Sequence, residues 1–220
     1  MKLLCIGNSH TYMNNLAGML QSLAGQAGRE LCVERITSPW KTLSWHWYDN
    51  PKTLEQIDAG GWDAVLLQDH SLRPLEEYPQ FERAVGQFAN RIRAVGARPL
   101  LFSLWPRQHL PEQLPEITEA CSRAAVRHRL ELVPIGQAWQ HAQELAAGED
   151  LELQLYQRDG SHPSIPGSYL AACVLYGVVC QADPAGLGDS YAGEPGCTIT
   201  LGSRIAGLLR SAAARAITGS

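Results

Sequence analysis

The run Ala64-Val65-Leu66-Leu67, with Trp62 before it and Gln68 after it, is apolar without alternation. A strand with one face in water alternates polar and apolar side chains with a period of two. A short continuous apolar run therefore indicates a strand covered on both faces. Helices on both sides of a sheet supply that cover. Strands are also predicted at Leu3–Ile6, Leu31–Ile36, Arg98–Trp105 (stopped by Pro106) and Leu130–Pro134. Helices are predicted between and after them, at Met13–Gln26, Lys52–Ile57, Phe81–Val95, Leu114–Arg129, Gly136–Ala147, Ile165–Val179 and Leu201–Ala216. In the first of these Leu16, Met19, Leu20 and Leu23 recur at helical spacing, with Gly28 as the stop. Strands alternating with helices predict an α/β fold, a three-layer αβα sandwich around a parallel sheet of about five strands. Gln181–Cys197, rich in Gly, Ala and Pro, reads as a surface loop.

A chain of 220 residues can bury one such core, and no linker divides it, so residues 1–220 read as a single domain. The net charge of -4 and the absence of a basic block argue against nucleic acid as a partner. Lys2 is followed by only a few apolar residues, too short for a signal-peptide core. No stretch reaches the roughly 18 apolar residues of a membrane span. The expectation is a cytoplasmic protein that does not bind a membrane. Six cysteines without CxxC or Cys/His spacing read as reduced, mostly buried thiols.

In an open parallel sheet, ligands bind beyond the carboxyl ends of the strands. Gly7-Asn8-Ser9, Ser38-Pro39-Trp40-Lys41, Gln68-Asp69-His70-Ser71 and Trp105-Pro106-Arg107 all fall on that edge. Asp159-Gly160-Ser161-His162 follows the last sheet unit and can fold over it. A serine hydroxyl is a weak nucleophile at neutral pH. It needs a base within hydrogen-bond reach, and the base needs an orienting partner. His162 suits the base. Asp159, three residues earlier, can share its pocket through one tight turn. Ser9 sits at the start of the first helix, where unpaired N–H groups favour negative charge. Its own N–H is thus a natural oxyanion donor.

These blocks resemble those of the SGNH (GDSL-like) hydrolases, flavodoxin-like three-layer esterases and lipases. The first block of that family is usually Gly-Asp-Ser and here reads Gly7-Asn8-Ser9. The last is Asp-x-x-His and here reads Asp159-Gly160-Ser161-His162. The resemblance spans nearly the whole chain and implies Ser9 as nucleophile, His162 as base and Asp159 as its orienter. Two blocks depart from the family. Ser38–Leu43 lacks the glycine of the second block, so the N–H of Trp40 or Lys41 must replace its donor. The third block, usually Gly-x-Asn-Asp, is Leu67-Gln68-Asp69-His70 here, which makes the Gln68 amide the expected oxyanion donor. Some branches of the family do carry Gln there together with Gly-Asn-Ser.

The expected reaction is hydrolysis of a short-chain ester through a Ser9 acyl-enzyme, with no cofactor. The substrate is a small-molecule ester, with an acetylated carbohydrate as the analogy-based choice. His10, His46 and Trp105 are expected to line the substrate pocket. Trp40, Trp45, Trp47 and Trp105 fall near the active edge; packing accounts for at least two of them, and ring stacking on a sugar is the sharper reading. His10, His46, His70 and His162 with Asp69 could cluster, but no pair has the i, i+4 spacing of a helical metal site, and no metal is expected. Asp69 is a weaker alternative to Asp159, and Arg107 reads as a solvated side chain ahead of the other reading, a contact to an acidic substrate group. Two other classes compete. One is a decayed, non-catalytic member that only binds a small molecule or glycan. The other is a nucleotide or phosphate binder, against which the absence of GxGxxG and GxxxxGK[ST] counts.

Overall fold

The computed structural model describes residues 1–193 and 197–219. Five parallel strands form the central sheet: β1 (Lys2–Gly7), β2 (Cys32–Thr37), β3 (Ala64–Leu67), β4 (Arg98–Phe102) and β5 (Glu131–Val133), in the order β2-β1-β3-β4-β5. The chain starts in the middle and moves first to one side, then to the other. The crevice where the direction reverses lies beyond the end of β1, where the segment after Gly7 begins.

Period-two side-chain alternation builds two cores. Leu3, Cys5, Ala64, Leu66, Leu100 and Phe102 face one, whereas Leu4, Ile6, Val65, Leu67 and Leu101 face the other. The first core is closed by α2 (Leu16–Gln26), α8 (Ile135–Gly148), α9 (Ile165–Cys180) and α10 (Ser203–Thr218). The second is closed by α3 (Leu43–Tyr48), α4 (Pro51–Asp58), α6 (Tyr78–Ala94) and α7 (Leu114–His128). In α6, Phe81, Ala84, Val85, Phe88, Ala89 and Ile92 form one buried stripe. Each large side chain fully buried in this way contributes about 1.5–3 kcal/mol. Thirteen of the sixteen residues of α9 are buried, which accounts for a helix with no polar face. Among the described residues no helix is long and apolar enough to cross a membrane.

The structure differs from the sequence expectation in a few places. The helix expected from Met13 begins at Leu16, because Asn14 and Asn15 both take left-handed backbone (φ 52° and 51°). They separate it from a one-turn helix, α1 (Ser9–Tyr12). Helix α3 and the short α5 (Arg73–Glu76) are not anticipated by periodicity. Strand β4 stops at Phe102, three residues early: the Ser103 N–H still reaches the Val133 carbonyl of β5, but the Ser103 carbonyl accepts the Gly136 N–H of α8 instead of continuing the ladder. The expected loop at Gln181–Cys197 holds β6 (Ser190–Ala192), which pairs antiparallel with β7 (Thr198–Thr200). Residues 194–196 of that loop lie outside the described residues.

Candidate active site

The segment Gly7-Asn8-Ser9 leaves β1 and enters α1 without a spare residue. The Asn8 side chain caps α1 by accepting the His10 N–H, and its Nδ2 donates to the Lys41 carbonyl (3.0 Å). Gly7 cannot carry a side chain, because a Cβ there would collide with Gln68 Oε1 and press on Thr11 Oγ1. Ser9 is the first residue of α1, so its N–H has no acceptor within the helix.

Asp159 and His162 arrive on a tight turn ahead of α9. Gly160 takes the left-handed conformation (φ 64°) that the turn requires. Asp159 Oδ1 accepts the N–H groups of Ser161 (2.9 Å) and His162 (3.0 Å), which fixes the carboxylate. Its Oδ2 meets His162 Nδ1 at 2.5 Å, and His162 Nε2 lies 2.8 Å from Ser9 Oγ. A carboxylate only accepts, so Nδ1 carries the ring proton and Nε2 is the acceptor facing the serine hydroxyl. Burial raises the Asp159 pKa. The hydrogen bonds from the His162 ring and the two backbone N–H groups outweigh this and hold the carboxyl at about 2. Residues 150 positions apart in sequence thus form a continuous Ser–His–Asp hydrogen-bonded chain.

The loop beyond β4 holds the turn from behind. Trp105 Nε1 donates to the Ser161 carbonyl (3.0 Å), the Gln108 N–H donates to the Gly160 carbonyl (2.8 Å), and the Tyr156 hydroxyl donates to the Pro106 carbonyl (2.9 Å). Asn14 holds it from the nucleophile side. Its Nδ2 lies within reach of the Pro163 carbonyl (2.9 Å), the Ser164 carbonyl (3.0 Å) and Ser168 Oγ (2.8 Å). Sequence reasoning missed Asn14. Its only local signal was an Asn-Asn pair inside a helical pattern, and asparagine tolerates left-handed backbone.

Other residues expected at the site fall in two groups. Trp40 lines the small cavity over Ser9 and His162, with its ring edge-on to the His162 ring at 6.0 Å. It is 71% exposed, and its φ of 63° is the backbone conformation usually given to glycine. His10 also lines the cavity, stacked on His162 at 5.3 Å. Burial, and then the neighbouring His162 and His70, push its pKa down to about 3, so it is a neutral ring near pH 7. By contrast, Gln68, His46 and Trp105 stand behind the cavity wall. Gln68 is fully buried under the nucleophile turn. Its Oε1 accepts the Asn8 N–H (2.8 Å) and its Nε2 donates to the Asp69 carbonyl, so it braces the backbone. His46 is fully buried between Thr53 Oγ1 (3.0 Å) and the Gly7 carbonyl (2.9 Å). Trp105 is stacked on Trp139 at 4.1 Å and spends its polar edge on Ser161. These three are corrected from pocket or oxyanion positions to supports, because ring packing, backbone groups and, for His46, the Thr53 hydroxyl occupy them.

The cavity wall includes His70, Ser71 and Arg107. Asp69 is not part of it. Its carboxyl accepts the Leu43 (3.1 Å) and His70 (2.7 Å) N–H groups, and burial pushes its pKa up to about 6. Among the described residues no cluster of three or more His, Cys, Asp or Glu side chains is placed to hold a metal.

No protein-family model and no curated protein matches the sequence. Solved structures do. A protein from Slackia heliotrinireducens assigned as an SGNH hydrolase is 28% identical, with a TM-score of 0.64 over 80% of this chain and 96% of that one. The structural neighbours of this chain include SGNH and G-D-S-L family proteins. They include a lipolytic protein of the G-D-S-L family from Veillonella parvula, 12% identical, with a TM-score of 0.60 over 83% of this chain and all of that one. An acetyl xylan esterase is 13% identical, with a TM-score of 0.65 over 81% of this chain and all of that one. The two more distant structures carry the likeness of fold alone. The SGNH-type neighbour at 28% identity adds support for a hydrolase.

Proposed function

We propose that the protein is a serine hydrolase of SGNH type that cleaves a short-chain carboxylic ester. One observation carries this reading, the unbroken chain from Ser9 Oγ through His162 to Asp159. In the reaction, Ser9 Oγ attacks the ester carbonyl while His162 Nε2 takes the hydroxyl proton. The imidazolium formed is stabilised by Asp159, which stays ionised and keeps Nδ1–H in place. His162 then returns the proton to the leaving alcohol. Water, activated by the same ring, releases the acid from Ser9.

The Ser9 N–H at the start of α1 is the first oxyanion donor, and the helix N-terminus adds to its field. The Trp40 N–H is the second, on the left-handed backbone position next to the cavity. Gln68 contributes by fixing the Asn8 peptide unit. The likeness to an acetyl xylan esterase and the exposed Trp40 ring support an acetyl ester carried on a sugar. The cavity over Ser9 is small, about 10 Å³, and this favours a short acyl group over a long chain.

The test is labelling with a fluorophosphonate, mapped by mass spectrometry, on wild type, Ser9→Ala and His162→Ala. Label on Ser9 of the wild type, lost in both variants, is the expected result. No label on folded wild-type protein would overturn the hydrolase reading in favour of a binding protein that keeps the fold but not the chemistry.

A further inference from the structure

Arg107 stands in the cavity wall with Ser9, His162, Trp40, His70 and Ser71, and no Asp or Glu lines that cavity. Its Nε is shielded from solvent and hydrogen-bonded to nothing, and among the described residues its guanidinium meets no carboxylate. Elsewhere Arg73, Arg91 and Arg98 each pair with an acid. Arg107 is half-buried, and a shielded Nε–H without a partner is costly, while the donors of the guanidinium fork match a planar carboxylate. The side chain is not on a loose loop. Arg107 lies between Pro106, whose carbonyl accepts the Tyr156 hydroxyl, and Gln108, whose N–H donates to the Gly160 carbonyl of the catalytic turn. Its own carbonyl accepts the Leu110 N–H (3.0 Å). The backbone is thus pinned to the turn that carries Asp159 and His162. The charge reaches across the cavity. Burial, and next the Arg107 charge, lower the pKa of His70, leaving a neutral ring beside the guanidinium.

We propose that Arg107 is the recognition residue for a carboxylate carried by the ester substrate, with His70 and Ser71 as the polar groups beside it. This inference rests on the hydrolase reading of the same cavity. The carboxylate can sit on the alcohol or on the acyl side of the ester bond, and the small cavity over Ser9 favours the alcohol side.

Two matched pairs of esters test it. Acetoxybenzoate against its methyl ester places the charge on the alcohol side. Nitrophenyl hemisuccinate against nitrophenyl butyrate places it on the acyl side. The expected result is that the charged member of one pair is cleaved with about 10- to 100-fold higher kcat/KM than its neutral partner, the difference lying mainly in KM. In Arg107→Gln that ratio falls to about one or below, and Arg107→Lys retains part of it, since a point charge replaces a fork. Raising salt from about 0.05 to about 0.5 M should shrink the wild-type ratio, a readout that does not depend on any variant folding. A wild-type ratio at or below one in both pairs overturns the proposal, as does a ratio that survives in Arg107→Gln. Fluorophosphonate labelling of Ser9 separates the two failures. Labelled protein without charge preference sinks only the carboxylate site, whereas unlabelled protein sinks both.

Discussion

Asn14 offers a test of how the two halves of the triad are held in register. Its Nδ2 faces three acceptors on the segment just after His162, and its two hydrogens can serve two of them at once. At about 1 kcal/mol per bond, removing the amide should cost about 2 kcal/mol. The backbone sets a second quantity. At φ 52° asparagine and glycine are tolerated, whereas alanine adds roughly 1 kcal/mol of left-handed strain. Asn14→Gly should therefore lose about 2 kcal/mol and Asn14→Ala about 3 kcal/mol. Asn14→Asp keeps the backbone preference but turns a donor into an acceptor facing two carbonyls, and should be no better than glycine. Urea denaturation gives the stabilities, and the rate of fluorophosphonate labelling reports whether His162 still addresses Ser9. Labelling should slow in all three variants while its site stays at Ser9. Variants within about 0.5 kcal/mol of wild type, the range of an ordinary surface change, would refute the clamp. Alanine equal to or better than glycine would refute the backbone argument.

Two further substitutions address the supports behind the cavity. Gln68→Leu strips the Asn8 N–H of its acceptor and the Asp69 carbonyl of a donor, at about 1–3 kcal/mol for each orphaned group, visible in thermal melts. Slow labelling at unchanged stability would instead return Gln68 to the oxyanion hole. For Asp69 the folded pKa is raised from 3.8 to about 6, so its stabilising contribution is full below about pH 4 and is lost as pH rises through about 6. Asp69→Asn removes that dependence, so relative to wild type it should be better at about pH 8 than at about pH 4, by on the order of 3 kcal/mol. Parallel stability–pH curves for the two proteins would show that Asp69 does not ionise with that penalty.

The parts of the fold that were legible in sequence are those where one local rule acts alone. Ala64–Leu67 could only be a strand covered on both faces, and the stripe from Phe81 to Ile92 could only be a helix with one buried side. Ser9, Asp159 and His162 were legible for a related reason. Each sits where an element ends, and chain topology brings element ends to one edge. What sequence could not supply was direction within that edge. Gln68 and Trp40 leave their strands at the same rim, and in a linear reading both are amide or N–H donors near the serine. The structure separates them because Gly7 leaves an open channel that the Gln68 side chain fills, so its amide meets the Asn8 and Asp69 backbone. Trp40, lifted by its left-handed backbone, stays in the wall. His46 and Trp105 were misplaced for the same cause, since an aromatic ring with one polar edge reads alike whether that edge faces a substrate or a carbonyl. Arg107 shows the converse. A lone arginine after a proline reads first as solvated and only second as a contact for an acidic substrate group, and it is the missing partner that favours the second reading. In such a site the polar groups already satisfied by the fold are supports, and those left unpaired at the cavity are where a substrate should be sought.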